Sequence, residues 1–385
     1  MRAVTLSGRP ATRQDITSLL AVADDVARPS LKSDQVLVKV LATALNIEDI
    51  MSGVGRRIGV SLTPTKEDPV VLGQEFAGVV EEVGSKVRKF TVGDSVLGHK
   101  MPFRVRLGSW AEYVSVGESC LVHKPPSYSF SQAAALPMSA LVAWGAVKAG
   151  GHINKPVLDN LEHKHLTPAA VEVEESEHNP SLLVRRGTDI NTVLQAKVGI
   201  VGASSTTGLI MVDMLVSRGV QVVGVSSASS AATVLSNGAV GVLNRNRGGL
   251  EAKGDLALDL IIDCVGGQDI EDAARKALLN KGHFVTIMGP GTGSFGDGGD
   301  GAKQQLSQGM KIASRSLMSM FSSTKYTQAA MPMTGGTNIL EQLLNENIKS
   351  VVDSEVEMFN EEAMIAAVNK VNSHKTKGRL VFTVQ

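Results

Sequence analysis

The stretch KVGIVGASSTTGLIMVDMLVS, residues 197–217, decides the fold of this chain. Its β-branched run, Val198 to Val201, predicts a buried strand, and its apolar run, Leu209 to Val216, predicts a helix. A second strand, expected at 221–225, follows the helix at the distance of a right-handed βαβ unit. The stretch therefore predicts a parallel sheet of the α/β class.

The small-residue turn between that strand and that helix has the composition of a phosphate-binding loop. A helix N-terminus offers free N–H groups and a positive dipole to a phosphate, and glycines keep side chains out of the way. Ser205 stands where a Gly-x-x-Gly-x-x-Gly pattern has its middle glycine, so a purely structural turn is the alternative. The predicted cofactor-binding residues in this turn are Gly202, Ala203, Ser204, Ser205, Thr206, Thr207 and Gly208.

The length and charge of the chain limit the kinds of domain and binding partner to be expected. The chain has 385 residues, enough for two domains that each bury a core. Its 38 basic and 38 acidic residues balance, so composition indicates neither nucleic acid nor an anionic membrane as partner. A small-molecule substrate is the expectation.

Two cysteines, Cys120 and Cys264, make neither a disulfide framework nor a thiolate zinc site, which favours a reducing compartment. No apolar run approaches the length of roughly 18 residues that a membrane span needs. The N-terminal MRAVTL has no signal-peptide core and is typical of a first strand. We therefore expect a cytoplasmic location.

The spacing of the apolar runs indicates two domains. Short runs separated by glycine turns over residues 1–125 predict an antiparallel, barrel-like β domain, with a sandwich that carries no site as the alternative. The predicted domains are 1–140, then 141–317, with 318–385 completing the first. Residues 152–195 carry prolines and an acidic cluster, and they predict a flexible surface insertion.

Further apolar runs at 239–243, 258–264 and 283–288 predict more strands of the parallel sheet, whose ligand lies at their carboxyl ends. Val265 and Gly289 follow two of these runs and are predicted to bind the cofactor. The glycine-rich residues 289–301 predict a loop that either gates the site or simply links two elements.

Several local strings resemble the medium-chain dehydrogenase/reductase superfamily, and within it the zinc-independent quinone oxidoreductase branch. They are NIED (46–49), LGQEFAGVVEEVGSKVRKFTVGDSV (72–96), GSWAEYVSV (108–116), AAALPMSALVAW (133–144), IIDCVGG (261–267) and KGRLVFTV (377–384). The resemblance implies a GroES-like catalytic domain, a Rossmann-type domain and a homodimer. Residues 325–353 also resemble the reticulon-interacting mitochondrial oxidoreductase group, which makes a mitochondrial location the alternative.

The same resemblance implies chemistry without zinc. The positions that correspond to the zinc ligands of other members hold Asn46 and Gln74, and amides are poor zinc ligands. Without a Lewis acid, alcohol oxidation is disfavoured, and hydride transfer to a quinone or an α,β-unsaturated carbonyl is expected. The family's Asn-x-x-Asp string makes Asn46 and Asp49 the predicted catalytic residues. A helix-start carboxylate is the alternative role of Asp49.

NADPH is the predicted cofactor. Enzymes that use NAD place an acidic residue about 20 positions past the glycine turn, where this chain has the serines of 226–230. Ser226, Ser227 and Arg245 are the predicted contacts of the 2′-phosphate, and Arg247 is a second candidate.

Two other functions stay open. Relatives usually read Gly-Ala-Ser-Gly-Gly-Val-Gly at the turn, whereas the replacements here resemble the trans-acting enoyl reductases of polyketide pathways. An enoyl-thioester reductase is therefore one alternative, although Val54 follows Gly53 where mitochondrial enoyl reductases have a tyrosine. A non-catalytic, NADPH-binding scaffold or sensor is the other, because each added Cβ pushes on the pyrophosphate.

Overall fold

The computed structural model describes residues 1–53, 64–100, 106–154, 167–288, 310, 314, 315, 317, 322–332, 335–373 and 375–384. The chain divides into two compact units. Unit 1 comprises Met1–Ser139 and Thr334–Gln385, and unit 2 contains the sheet built around residues 197–217. No helix among the described residues is long and apolar enough to cross a membrane.

Unit 1 is a β domain completed by the C-terminal part of the chain. Its seven-stranded sheet has the order β17-β18-β3-β5-β6-β8, with β7 paired to β3, and a smaller sheet has the order β2-β1-β4. The strands are β1 (Ala3–Leu6), β2 (Leu20–Ala23), β3 (Gln35–Leu45), β4 (Val70–Val71), β5 (Glu75–Val83), β6 (Ser95–His99), β7 (Tyr113–Gly117), β8 (Leu121–His123), β17 (Val352–Glu357) and β18 (Arg379–Thr383). The helices are α1 (Ile47–Gly53), α2 (Phe130–Ala134), α8 (Gly336–Asn345) and α9 (Glu361–Asn372), while α3 (Pro137–Ala149) contains the division between the units.

The predicted return of the last strand to the first domain is confirmed, because β18 pairs antiparallel with β3. Apolar side chains that alternate along these strands form the core of unit 1. Trp110 and Phe382 are both fully buried there and pack edge to face, with ring centroids 5.3 Å apart. The C-terminal strand is therefore an integral part of this core.

Unit 2 is the predicted parallel sheet. Its order is β16-β15-β14-β11-β12-β13-β10-β9, and the six strands from β16 to β13 are mutually parallel. Those six have the Rossmann order, which confirms the predicted fold class. The strands are β9 (Val173–Ser176), β10 (Asn179–Arg185), β11 (Val198–Val201), β12 (Val222–Ser226), β13 (Gly241–Asn244), β14 (Leu258–Asp263), β15 (Leu278–Thr286) and β16 (Lys325–Gln328). The helices are α4 (Ile190–Leu194), α5 (Thr206–Val216), α6 (Ala231–Ser236) and α7 (Gln268–Ala277).

The predicted flexible insertion at 152–195 is wrong for its described second half. β9 and β10 form an antiparallel hairpin, and β10 extends the sheet by pairing antiparallel with β13. The buried run Leu182, Leu183 and Val184 supplies the apolar contacts, whereas the glutamates of β9 are exposed on the outermost strand. Charged side chains on an edge strand discourage pairing with another chain. The acidic cluster thus marks a sheet edge.

The structure also places the segment after 318 differently from the sequence prediction. β16 pairs with β15, so residues 325–328 lie in the sheet of unit 2. The C-terminal part of unit 1 begins at Thr334. The glycine-rich residues 289–301, including Gly289, lie outside the described residues.

Candidate active site

The turn after β11 closes tightly against the start of α5. Gly202 has a φ of +77°, which residues with a side chain rarely adopt. A Cβ on Gly208 would lie 2.4 Å from the Gly202 carbonyl oxygen and 2.9 Å from the Ala203 Cα. Ala203 is itself fully buried. Backbone atoms thus occupy the space that a side chain at Gly208 would need, and at Gly202 an added Cβ would lie 2.8 Å from Val265 Cγ2.

Ser205 begins the helix. It has the extended backbone of an N-cap residue, with φ −70° and ψ 159°, and its Oγ accepts the Gly208 N–H at 3.1 Å. Ser205 stands where relatives have glycine, and the backbone conformation of an N-cap residue accommodates its Cβ. The interpretation that this Cβ must push on a bound pyrophosphate is therefore not needed.

Three backbone N–H groups at this turn and the start of α5 are available as hydrogen-bond donors. The N–H groups of Ser204, Thr206 and Thr207 donate to no group in the part of the chain that the structure describes. They lie at the positive end of α5, a helix of 11 residues. Free N–H groups beside two positions without a Cβ fit the diphosphate of a dinucleotide.

The predicted contacts of the 2′-phosphate meet at the carboxyl ends of two neighbouring strands. Ser226 ends β12 and is the register partner of Asn244, which ends β13 and precedes Arg245. The hydroxyl of Ser227 lies 3.0 Å from that of Ser229 and 3.1 Å from that of Ser230. The structure therefore brings a cluster of serine hydroxyls close to the start of the Arg245 loop.

The two candidate arginines differ in their surroundings. Arg245 is exposed and makes no ion pair or side-chain hydrogen bond with any described residue. Arg247 is held by the β9–β10 hairpin, where its Nη1 lies 2.5 Å from Glu175 Oε1 and 3.1 Å from the Pro180 carbonyl oxygen. Arg245 is thus the guanidinium that stays available to a ligand.

Val265 follows β14, the strand that borders β11 on the side away from β12, and the residue is 42% exposed. The neighbouring Asp263 holds this turn: Oδ1 accepts the N–H groups of Val265 and Gly266, and Oδ2 accepts the Thr286 hydroxyl. Burial raises the pKa of Asp263 and these hydrogen bonds oppose the rise. The sequence analysis did not identify this role of Asp263. A carboxylate at the end of an apolar run is the sequence feature that could have indicated it.

In unit 1, Asn46 and Asp49 open helix α1. Asp49 Oδ2 accepts the Asn46 backbone N–H at 2.9 Å, and Asn46 Oδ1 accepts the Glu48 N–H at 3.2 Å. This reciprocal arrangement caps a helix start. The helix-start role of Asp49 is therefore present, and it leaves Asp49 Oδ1 without a partner among the described residues.

A buried ion pair lies beside this helix start. Glu75, at the beginning of β5, is 0% exposed and lies 3.0 Å from Arg379 Nη2, at the beginning of β18. Glu75 also accepts the Met138 N–H at 2.9 Å, and the same arginine nitrogen donates to the Ser139 hydroxyl. The sequence analysis missed both charges. β18 runs antiparallel to β3, which brings Arg379 close to Asn46 at the end of β3.

Burial raises the pKa of Asp49 from its usual 3.8 to about 8, and the charge of Glu75 adds to the rise. The Asn46 N–H, Arg379 and a hydrogen bond from the Gln74 side chain act in the opposite direction. Asp49 is therefore a neutral acid near pH 7. Among the described residues, no group of three histidine, cysteine or acidic side chains is placed to hold a metal ion.

We expect Asp49 to make stability fall as the pH rises. The folded protein binds this proton more tightly than the unfolded chain, so the contribution is complete below about pH 4 and is lost as the pH rises through about 8. The slope reaches about 1.4 kcal/mol per pH unit within that window. Asp49→Asn keeps an acceptor and removes the titration. Urea unfolding of both proteins at several pH values should show a flatter dependence in the variant, and identical slopes would contradict the assignment.

Comparisons with known proteins agree with this architecture. Residues 32–126 match the family model of the alcohol dehydrogenase GroES-like domain. A 2-methylene-furan-3-one reductase of Solanum lycopersicum is 39% identical over 145 residues, which cover 36% of each chain. The mitochondrial NAD(P)H oxidoreductase RTN4IP1 of Bos taurus is 27% identical over 366 residues, 91% of this chain and 82% of that protein.

The solved structure of the Escherichia coli quinone oxidoreductase complexed with NADPH has the same fold, with a TM-score of 0.65. The match covers 100% of both chains at 17% sequence identity. A GroES-like domain combined with a sheet in Rossmann order defines a two-domain dehydrogenase/reductase architecture. The chain is thus similar in sequence to NAD(P)H oxidoreductases and shares its fold with quinone oxidoreductase structures.

Proposed function

We propose that this protein is a zinc-independent, NADPH-dependent oxidoreductase that reduces α,β-unsaturated carbonyl compounds or quinones. The observation that carries the proposal is the buried cluster of unit 1 that contains Asn46 and Gln74, the residues that the family resemblance aligns with zinc ligands. Amide and neutral carboxyl groups donate hydrogen bonds to an acceptor oxygen but are poor zinc ligands. The tomato relative's name specifies a carbonyl compound conjugated to a methylene group, which supports this substrate class.

Unit 2 supplies the cofactor contacts. When bound, NADPH supplies a hydride, and the protein's task is to hold and orient it. The free N–H groups of Ser204, Thr206 and Thr207 bind its diphosphate. The other predicted contacts lie at the same carboxyl edge of the sheet. They are the rest of the turn from Gly202 to Gly208, together with Ser226, Ser227 and Val265.

Arg245 selects NADPH over NADH in this account. We expect Arg245→Ala to raise the Michaelis constant for NADPH by about 10- to 100-fold, since a charge-assisted hydrogen bond contributes roughly 1.5–3 kcal/mol. The constant for NADH should stay unchanged, because NADH lacks the 2′-phosphate. Arg247→Ala is the matched control, since that side chain is engaged by Glu175. Equal losses with both cofactors would contradict the role of Arg245.

A panel assay tests the proposed function. The purified protein should consume NADPH with enones or quinones, and treatment with a chelator should leave the rate unchanged. Preference for enoyl thioesters would favour the enoyl-reductase alternative. Tight NADPH binding without turnover of any acceptor would favour the non-catalytic scaffold or sensor.

Location and assembly belong to the same proposal. The two cysteines and the proposed chemistry suit the cytoplasm, whereas the bovine relative is named as mitochondrial. Cell fractionation distinguishes the two. We propose a homodimer from the family resemblance, which sedimentation of the purified protein tests directly.

A further inference from the structure

Gln74 carries a buried amide whose hydrogen-bonding capacity is largely unused. The residue is 2% exposed, and neither its Nε2 nor its Oε1 makes a well-formed hydrogen bond with a described residue, its one interaction being a weak contact that lowers the pKa of Asp49. A buried polar group without a partner destabilises the folded state, and almost all such groups in native proteins are paired. The placement of this amide therefore requires an explanation outside folding.

The neighbours of Gln74 are already engaged. Glu75 binds Arg379 and the Met138 N–H, so the two charges compensate each other. Asn46 donates towards Glu75 at 3.5 Å and accepts from the Glu48 N–H. Within the described cluster, unused capacity for a further hydrogen bond is concentrated on Gln74 and on Asp49 Oδ1, apart from the Nε–H of Arg379.

These surroundings favour a neutral ligand with an acceptor atom. A second anion beside Glu75 and a second cation beside Arg379 would each meet a like charge at a site closed to water. A carbonyl oxygen carries no charge and accepts two hydrogen bonds, so it matches the amide donor of Gln74.

We propose that Gln74 is a catalytic residue that donates a hydrogen bond from Nε2 to the carbonyl oxygen of a conjugated acceptor. The inference rests on the function proposed above and names the group that takes over the polarising role of a metal.

The chemistry balances with groups already named. A hydride adds to the β-carbon of the acceptor, and the electron pair of the C=C bond moves so that negative charge develops on the carbonyl oxygen. The hydrogen bond from Gln74 stabilises that charge, and a proton from water then completes the C–H bond at the α-carbon. A donor held in a dry site is most effective when the charge develops.

Gln74→Leu tests the inference, because leucine fills a similar volume without polar atoms. We expect kcat/KM for an enone to fall by on the order of 100-fold, the typical loss of one such donor. The dissociation constant of NADPH should stay within about twofold, and the melting temperature should stay equal or rise. Gln342→Leu, the same change at an exposed position of α8 in unit 1, is the matched control.

A binding measurement separates this inference from the proposed function. The carbonyl stretch of cyclohexanone labelled with ¹³C at the carbonyl should shift to lower frequency on binding to the wild-type protein, and Gln74→Leu should abolish the shift. A shift in a protein that oxidises no NADPH would overturn the proposed function and support the carbonyl site. Turnover retained within about threefold in Gln74→Leu would overturn the inference. So would a loss of turnover that comes with a lower melting temperature and lost NADPH binding.

Discussion

Replacing Arg379 by methionine is expected to lower the free energy of unfolding of unit 1 by about 3–5 kcal/mol at pH 8. The substitution leaves the carboxylate of Glu75 at 0% exposure without its partner charge. Burial raises the pKa of Glu75 and Arg379 opposes that rise, so the abandoned carboxyl takes up a proton more readily. The destabilisation should therefore be smaller at pH 6 than at pH 8. Urea unfolding at both pH values measures it.

Two further variants make this result specific. The double variant Glu75→Gln, Arg379→Met removes both charges and should recover most of the lost stability. Arg28→Met breaks an exposed pair with Glu82 and should cost no more than about 1 kcal/mol. If Arg379→Met had no larger effect than Arg28→Met, the buried pair would not organise the cluster around Asn46 and Gln74.

Replacing Gly208 by alanine is the second change with a large expected effect. Alanine in a helix is ordinarily favourable over glycine by about 1 kcal/mol. Here its Cβ would lie 2.4 Å from the Gly202 carbonyl oxygen, which is backbone and can move only with the turn. Overpacking of this kind costs about 1–3 kcal/mol, so the clash outweighs the propensity. We expect lower stability and NADPH binding weakened more than tenfold, since α5 must shift away from the corner.

Thermal unfolding and NADPH titration measure the two effects of Gly208→Ala. Gly117→Ala is the control, because there the nearest atom to an added Cβ is the hydroxyl of Ser119 at 3.8 Å. The control should keep wild-type stability and binding. NADPH binding unchanged in Gly208→Ala would show that the cofactor does not use this corner.

The sequence predicted the local elements of unit 2 because each depends on neighbours in the chain. β11 was predicted with its observed ends, Val198 and Val201, and helix α5 extends the predicted run by three residues at its start, from Leu209 to Thr206. Those three residues are two threonines and a glycine, so no apolar pattern marks them. The N-cap role of Ser205 is equally unmarked, because the family pattern has a glycine at this position and indicates no capping side chain.

The elements that the sequence analysis missed depend on pairing between distant segments. In the β9–β10 hairpin, the apolar run of β10 is buried only because β13 lies beside it. The ion pair of Glu75 and Arg379 joins the two ends of the chain through the pairing of β18 with β3. The spacing of apolar residues along the chain cannot indicate a contact between such distant segments. The unused capacity of Gln74 is equally invisible in sequence, since it depends on which neighbours are already bonded.

Transfer of deuterium from NADPH labelled at C4 of the nicotinamide is the most direct test of the central claim, metal-free hydride transfer to a conjugated acceptor. The protein is treated with a chelator, supplied with the labelled cofactor and an enone, and the product is analysed by mass spectrometry and NMR. The account predicts one deuterium on the β-carbon of the saturated ketone, formed at the rate of the untreated protein. Product without deuterium at that carbon, or turnover that the chelator abolishes and zinc restores, would contradict it.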